Sequence, residues 1–202
     1  MRYRRLGTNG FSIVTLSTFI PSVFAILVLP GPTNTLLALA SQGGGLSRAV
    51  VLFGTVIASY LAVVIPVSLF ASPFLATHPT FTEAVKLVSA AWVLYLALKL
   101  WRGEPGTSTP YGMVPLRDLV VTTLLNPKAI IIALTMVAPI QGVLRATAIM
   151  SFSAIVFVTS AIWLSIGRAL LAGDEFMSAI VSRCGMAVLF VFSAVLAASA
   201  VS

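Results

Sequence analysis

Acidic side chains are nearly missing from this chain: five Asp and Glu stand among 202 residues, all at expected helix ends or in loops. Charge of either sign is scarce, at 8% of residues against roughly 25% in soluble domains. A chain so poor in charge has too little polar surface to face water on all sides. The single cysteine, Cys184, excludes an intrachain disulfide framework and a paired-thiol electron carrier; it reads as a small packing residue in an apolar helix. The single histidine, His78, shares no helix face with another His, Cys or acid. An intramembrane enzyme would need a nucleophile with a base, or a carboxylate or metal cluster. No catalytic residue, cofactor or metal is therefore expected. The net charge of +7 comes from twelve scattered Lys and Arg with no dense run, so it marks membrane interfaces and not a nucleic-acid footprint.

What the chain has is apolar length. Hydrophobic residues make up 59% and the mean hydropathy is +1.08. Uncharged runs over 11–47 and 49–82 can each cross a bilayer. At about 20 residues per span the length allows six helices, expected at 11–40, 49–72, 80–101, 116–138, 146–168 and 177–201. The reading is an all-α, polytopic membrane protein with no room for a soluble domain. The start, 1–5 and then apolar sequence, resembles a signal peptide, but Ser22-Val23-Phe24-Ala25 is a poor cleavage site and retention as the first span is expected. With both termini outside, Arg48, Lys99, Arg102, Arg117, Arg168 and Arg183 fall on the cytoplasmic side, six against five for the opposite arrangement, a count that does not decide the orientation.

The chain also aligns with itself at a shift of 97. Gly45-Leu46-Ser47-Arg48-Ala49 matches Gly142-Val143-Leu144-Arg145-Ala146, Pro30 matches Pro127, and Lys86 matches Arg183. Two three-helix repeats follow, 1–102 and 116–202, joined by a polar connector at 103–115. An odd number of spans per repeat inverts the second repeat relative to the first.

Each repeat carries a proline break inside an apolar stretch: Pro30-Gly31-Pro32-Thr33-Asn34 in the first, Asn126-Pro127-Lys128 in the second. Broken backbone within a bilayer is tolerated where it is buried in protein or lines a polar path. Asn126 before Pro127 has the pattern of an N-cap followed by proline at the first helical position, and Gly31 before Pro32 can play the same part. Each break would then aim the positive end of a half-helix at a shared site suited to carboxylates. Lys128, near mid-span, costs upward of about 2.5 kcal/mol unless something offsets its charge. Candidate partners are Asp118, the C-terminal carbonyls of an upstream half-helix, or a substrate carboxylate; the alternative is that the side chain snorkels to an interface. Trp92, Tyr95, Trp101 and Trp163 read as belt or packing residues, while Ser59, Tyr60, Thr159 and Ser160 are spaced so that some could face a cavity.

The Pro-Gly-Pro-x-Asn-Thr-Leu-Leu break, the Gly-rich turn with Arg48, and Leu-Leu-Asn-Pro-Lys-Ala at 124–129 resemble the lysine exporter superfamily, which includes the threonine and homoserine efflux proteins. The likeness covers nearly the whole chain. Many members carry Asp or Asn directly after Pro-Gly-Pro, whereas here Thr33 intervenes. The resemblance implies a multi-pass exporter of small amino acids or related carboxylates in the bacterial inner membrane, driven by the proton gradient. Substrate binding is then expected at Pro30, Gly31, Pro32, Thr33, Asn34, Asn126, Pro127 and Lys128. The partners are an amino-acid-like small molecule, the lipid bilayer and, as an open option, a second copy of the chain. The alternative is a non-transporting assembly subunit, with Ala187, Ala194 and Ala198 packing a partner helix.

Overall fold

The computed structural model describes residues 8–41, 45–71, 79–102, 114–171 and 175–201, and every regular element among them is helical. In chain order these are α1 (Thr8–Val28), α2 (Pro32–Leu39), α3 (Leu46–Pro66), α4 (Pro79–Arg102), α5 (Leu116–Leu124), α6 (Pro127–Ile132), α7 (Val143–Leu171) and α8 (Glu175–Val201). α3 runs on into a π-helical turn, Val67–Ala71, directly after Pro66, and α6 into another, Ala133–Val137. The two π turns touch each other. Among the described residues, α3, α4, α7 and α8 each contain a stretch long and apolar enough to cross a membrane. The pairs α1/α2 and α5/α6 qualify only when each is taken as one bent span, with bends of 63° and 41°. Among the described residues there are thus four helices long and apolar enough to span a membrane, or up to six with each bent pair counted as one span.

Proline chemistry sets both bends. Pro30 and Pro32 lack the N–H groups that would bond the carbonyls of Ile26 and Val28, so α1 ends at Val28 and α2 opens at Pro32. Pro127 likewise takes the first position of α6, with Asn126 before it in extended conformation. The helices that the sequence runs together over 11–40 and 116–138 are thus two pieces each.

The outward side chains are apolar, as lipid-facing surfaces should be: Val50, Val51, Leu94, Met150, Phe157, Val191 and Val195 are all exposed. Inside, Leu37, Leu52, Leu119, Ile132, Phe152 and Leu189 form a continuous core. Lipid is as apolar as leucine, so close packing and buried hydrogen bonds must hold the helices together. α4 and α8 make the most extensive pair; α1 and α2 lie along α7, α5 lies along α3, and α3 crosses α7. The short α2 is seated on two glycines. A Cβ at Gly167 of α7 would run into the Ala38 carbonyl, and one at Gly185 of α8 would come within 3.2 Å of Thr35 Cγ2.

Cys184 is a free, exposed residue of α8 and not a buried packing residue. The connector up to residue 113, the N-terminal arginines, His78, Glu104 and Asp174 lie outside the described residues.

Candidate functional site

A helix that stops inside an apolar medium leaves its last carbonyls and first N–H groups without partners. At the first break the carbonyls are met from three directions. Asn34 Nδ2 donates to Leu27 O at 2.7 Å and to Leu29 O at 2.9 Å. Trp163 Nε1, from α7, donates to Val28 O at 3.2 Å. Lys128 Nζ, from the first turn of α6, reaches across to Leu29 O at 2.7 Å. The N-cap, Gly31, has extended backbone and no side chain to cap α2.

The second break caps itself. Asn126 Oδ1 accepts the Lys128 N–H at 3.1 Å, the expected N-cap bond. Its Nδ2 donates to Thr33 Oγ1 and to Tyr60 OH, both at 3.1 Å. One amide therefore starts α6 and ties it to α2 and α3. Thr33 Oγ1 also lies 3.4 Å from Thr123 Oγ1, which donates back to Leu119 O in its own helix. Ser89 of α4 donates to Leu125 O at 2.6 Å, closing the end of α5. The breaks thus meet in a buried knot of Thr33, Tyr60, Thr123 and Asn126.

Lys128 stands at the edge of this knot, half-buried, while the Leu29 side chain and Pro30 are exposed. The ammonium sits over Gly31, where an added Cβ would lie 3.1 Å from Nζ and 3.8 Å from Phe192 Cε2. The three features share one small space: a cation, a bare stretch of backbone and the edge of an aromatic ring. Among the described residues no carboxylate pairs with Lys128. Asp118 is buried against Lys99 Nζ at 2.6 Å, in the first turn of α5.

Most of the residues expected at the site are brought together, though not all in the expected roles. Gly31, Thr33, Asn34, Asn126 and Lys128 converge. Pro32 and Pro127 open the two half-helices without offering a polar group. Pro30 is exposed; Pro32 and Pro127, 95 residues apart, each take the first position of a half-helix, whereas Gly45 and Gly142 are 97 apart. Asn34 lies in the first turn of α2, as expected, and its amide donates back to the end of α1. Of the partners considered for Lys128, a helix-end carbonyl is the one present, and it belongs to the other half of the chain.

Thr123, Ser89, Trp163 and Phe192 were not legible as members of the site. Thr123 carries a weak signal, three residues before Asn126 and so on the same face; the other three come from distant helices. Of the four hydroxyl residues flagged for a cavity, only Tyr60 joins the knot, its ring edge-on to Phe152. Ser59 and Thr159 donate to carbonyls of their own helices. No protein-family model, curated protein or solved structure matches this chain.

Proposed function

We propose that this protein is a secondary transporter that exports small neutral amino acids, or related small carboxylates, across the bacterial cytoplasmic membrane with the proton gradient as its energy source. The observation that carries the reading is Lys128: an ammonium group with three donors, held at the junction of two broken spans, with one carbonyl as its partner and no carboxylate beside it among the described residues. An anion arriving there would gain a charge-assisted hydrogen bond and relieve an otherwise costly buried cation. The bare Gly31 lets the Lys128 ammonium sit close against the backbone, and Phe192 lies beside it as an apolar wall for a small side chain.

The packing supports an inverted repeat. Take α1/α2 as the first span and α5/α6 as the fourth. Exchanging the two halves then turns the contact of the first span with α7 into that of the fourth with α3, and turns the α4/α8 pair into itself. The exchange is imperfect, since α7 touches α8 more extensively than α3 touches α4. Binding at a repeat interface formed by discontinuous helices is a common transporter arrangement. The resemblance of the two break motifs to the lysine exporter superfamily points the same way.

A fixed ammonium also selects by charge. A second cation held about 6 Å from it, at an effective dielectric near 20, meets a repulsion of roughly 3 kcal/mol, more than a hundredfold in affinity. In proteoliposomes, labelled threonine should be displaced by leucine or cysteine and poorly by lysine or arginine, and Lys128→Met should abolish flux with folded protein retained. Lysine as the tightest competitor, or normal flux in Lys128→Met, would place Lys128 outside the site. The second reading, an assembly subunit, draws on Ala187, Ala194 and Ala198 lying exposed on α8, free for a partner helix; purified protein that moves no solute alone would favour it.

A further inference from the structure

The Leu29 carbonyl carries two donors at once, Lys128 Nζ at 2.7 Å and Asn34 Nδ2 at 2.9 Å. A carbonyl oxygen has two lone pairs and is satisfied by one good donor. Were Lys128 its sole partner, withdrawing the ammonium would leave the carbonyl without a protein donor, at part of the penalty of a fully buried group because the contact lies at the exposed edge. With Asn34 in place the carbonyl stays bonded after Lys128 has gone. Asn34 is itself firmly held, because the same nitrogen also donates to Leu27 O at 2.7 Å. The contact sits at the exposed edge of the knot and not in its buried centre, where an incoming group can reach it.

Resting on the transporter reading above, we propose that the Lys128–Leu29 contact is a releasable latch opened by a ligand carboxylate, and that Asn34 is the positioning residue that lets it open. The carboxylate exchanges one acceptor of Lys128 for another, a neutral carbonyl for an anion; no covalent bond changes. Opening severs the direct hydrogen bond between the C-terminal end of α1 and the N-terminal turn of α6, so ligand binding loosens one half of the molecule from the other at the point where both spans are bent. Asn126 keeps its own bonds to Thr33 and Tyr60 throughout and serves as the pivot.

The test is a double-mutant cycle on the full-length protein in detergent, read by melting temperature without ligand and by threonine affinity. Lys128→Met alone should change the melting temperature little, because Asn34 still satisfies Leu29. Asn34→Ala with Lys128→Met should lower it by roughly 2–4 °C more than the two single changes added together, since the carbonyl then has neither donor. Additive effects would overturn the shared-carbonyl argument. Asn34→Ala alone should weaken threonine binding about tenfold, because releasing Lys128 then strands the carbonyl; unchanged affinity would reduce Asn34 to a passive helix cap. A wild-type protein that binds no threonine or other small carboxylate would overturn the transporter reading and with it the ligand-driven opening, whereas the melting cycle reports on the carbonyl independently of any ligand.

Discussion

At the second break a local residue, Asn126, caps the helix that follows it, and one serine from α4, Ser89, closes the helix before it. At the first break nothing local caps α2, and the end of α1 is held by Asn34 together with two side chains from elsewhere, Trp163 of α7 and Lys128 of α6. The first is also bent more sharply, 63° against 41°. A helix start capped by its own neighbour in sequence depends less on distant helices than a helix end held mainly by side chains from elsewhere. On this comparison the α5/α6 break is the fixed reference and the α1/α2 break is the part able to change.

The comparison is broken most severely at Asn126. Asn126→Leu removes an N-cap bond and leaves the Thr33 and Tyr60 hydroxyls without their shared donor in a buried site. A lost cap costs about 1 kcal/mol and each stranded buried group about 1–3 kcal/mol, so a loss of roughly 3 kcal/mol is expected, near 6–12 °C in melting temperature. Transport should be lost as well. Two of its three bonds are buried, which is why a stability cost accompanies the loss of transport. A melting temperature within 2 °C of wild type would deny Asn126 its place as the pivot.

The next test strikes the first break from outside. Gly167 lies so close to the Ala38 carbonyl that a methyl group there cannot be placed without moving backbone. Gly167→Ala should cost about 2 kcal/mol through overpacking, with α2 pushed off α7. Gly185→Ala meets only side-chain atoms, Thr35 Cγ2 at 3.2 Å and Leu39 Cδ1 at 3.5 Å, and should cost less. Equal melting temperatures for the two variants would mean that α2 is already loosely seated.

How much of this was legible beforehand follows from what is local. Apolar run length placed all six stretches, and X-Pro chemistry placed both breaks, because a missing N–H acts on the helix that contains it. Asn126 as an N-cap was readable for the same reason. The role of Asn34 was not: Asn near a half-helix start reads equally as a ligand group or as a cap for the preceding helix, and only the 63° bend, which folds α2 back toward the carbonyls of α1, decides between them. The partner of Lys128 was hidden because it is a backbone carbonyl, and every residue has one. Trp163 and Phe192 were hidden by distance along the chain. The π turns left no mark beyond Pro66.

The smallest expected effect lies at the start of the fourth span. α5 opens with Asp118, which bonds Lys99 at 2.6 Å, whereas α1 has no acid in its first turn. The acid is buried but the lysine side chain is 45% exposed, so the pair is screened by its surroundings and worth at most about 1 kcal/mol. Asp118 also sits at the positive end of α5, and that interaction persists when the lysine is removed. Lys99→Met should therefore lower stability by only about 0.5 kcal/mol, and raising the salt concentration should shrink the gap to wild type. A loss several times larger, insensitive to salt, would reveal Asp118 as a buried charge dependent on that one partner. The same acid bears on energy coupling. If Asp118 serves only to anchor α5, then Asp118→Asn in proteoliposomes should retain flux driven by a pH gradient. Abolished gradient-driven flux with equilibrative exchange preserved would instead make Asp118 the proton-coupling group, and the self-capped half of the molecule would no longer be a passive reference.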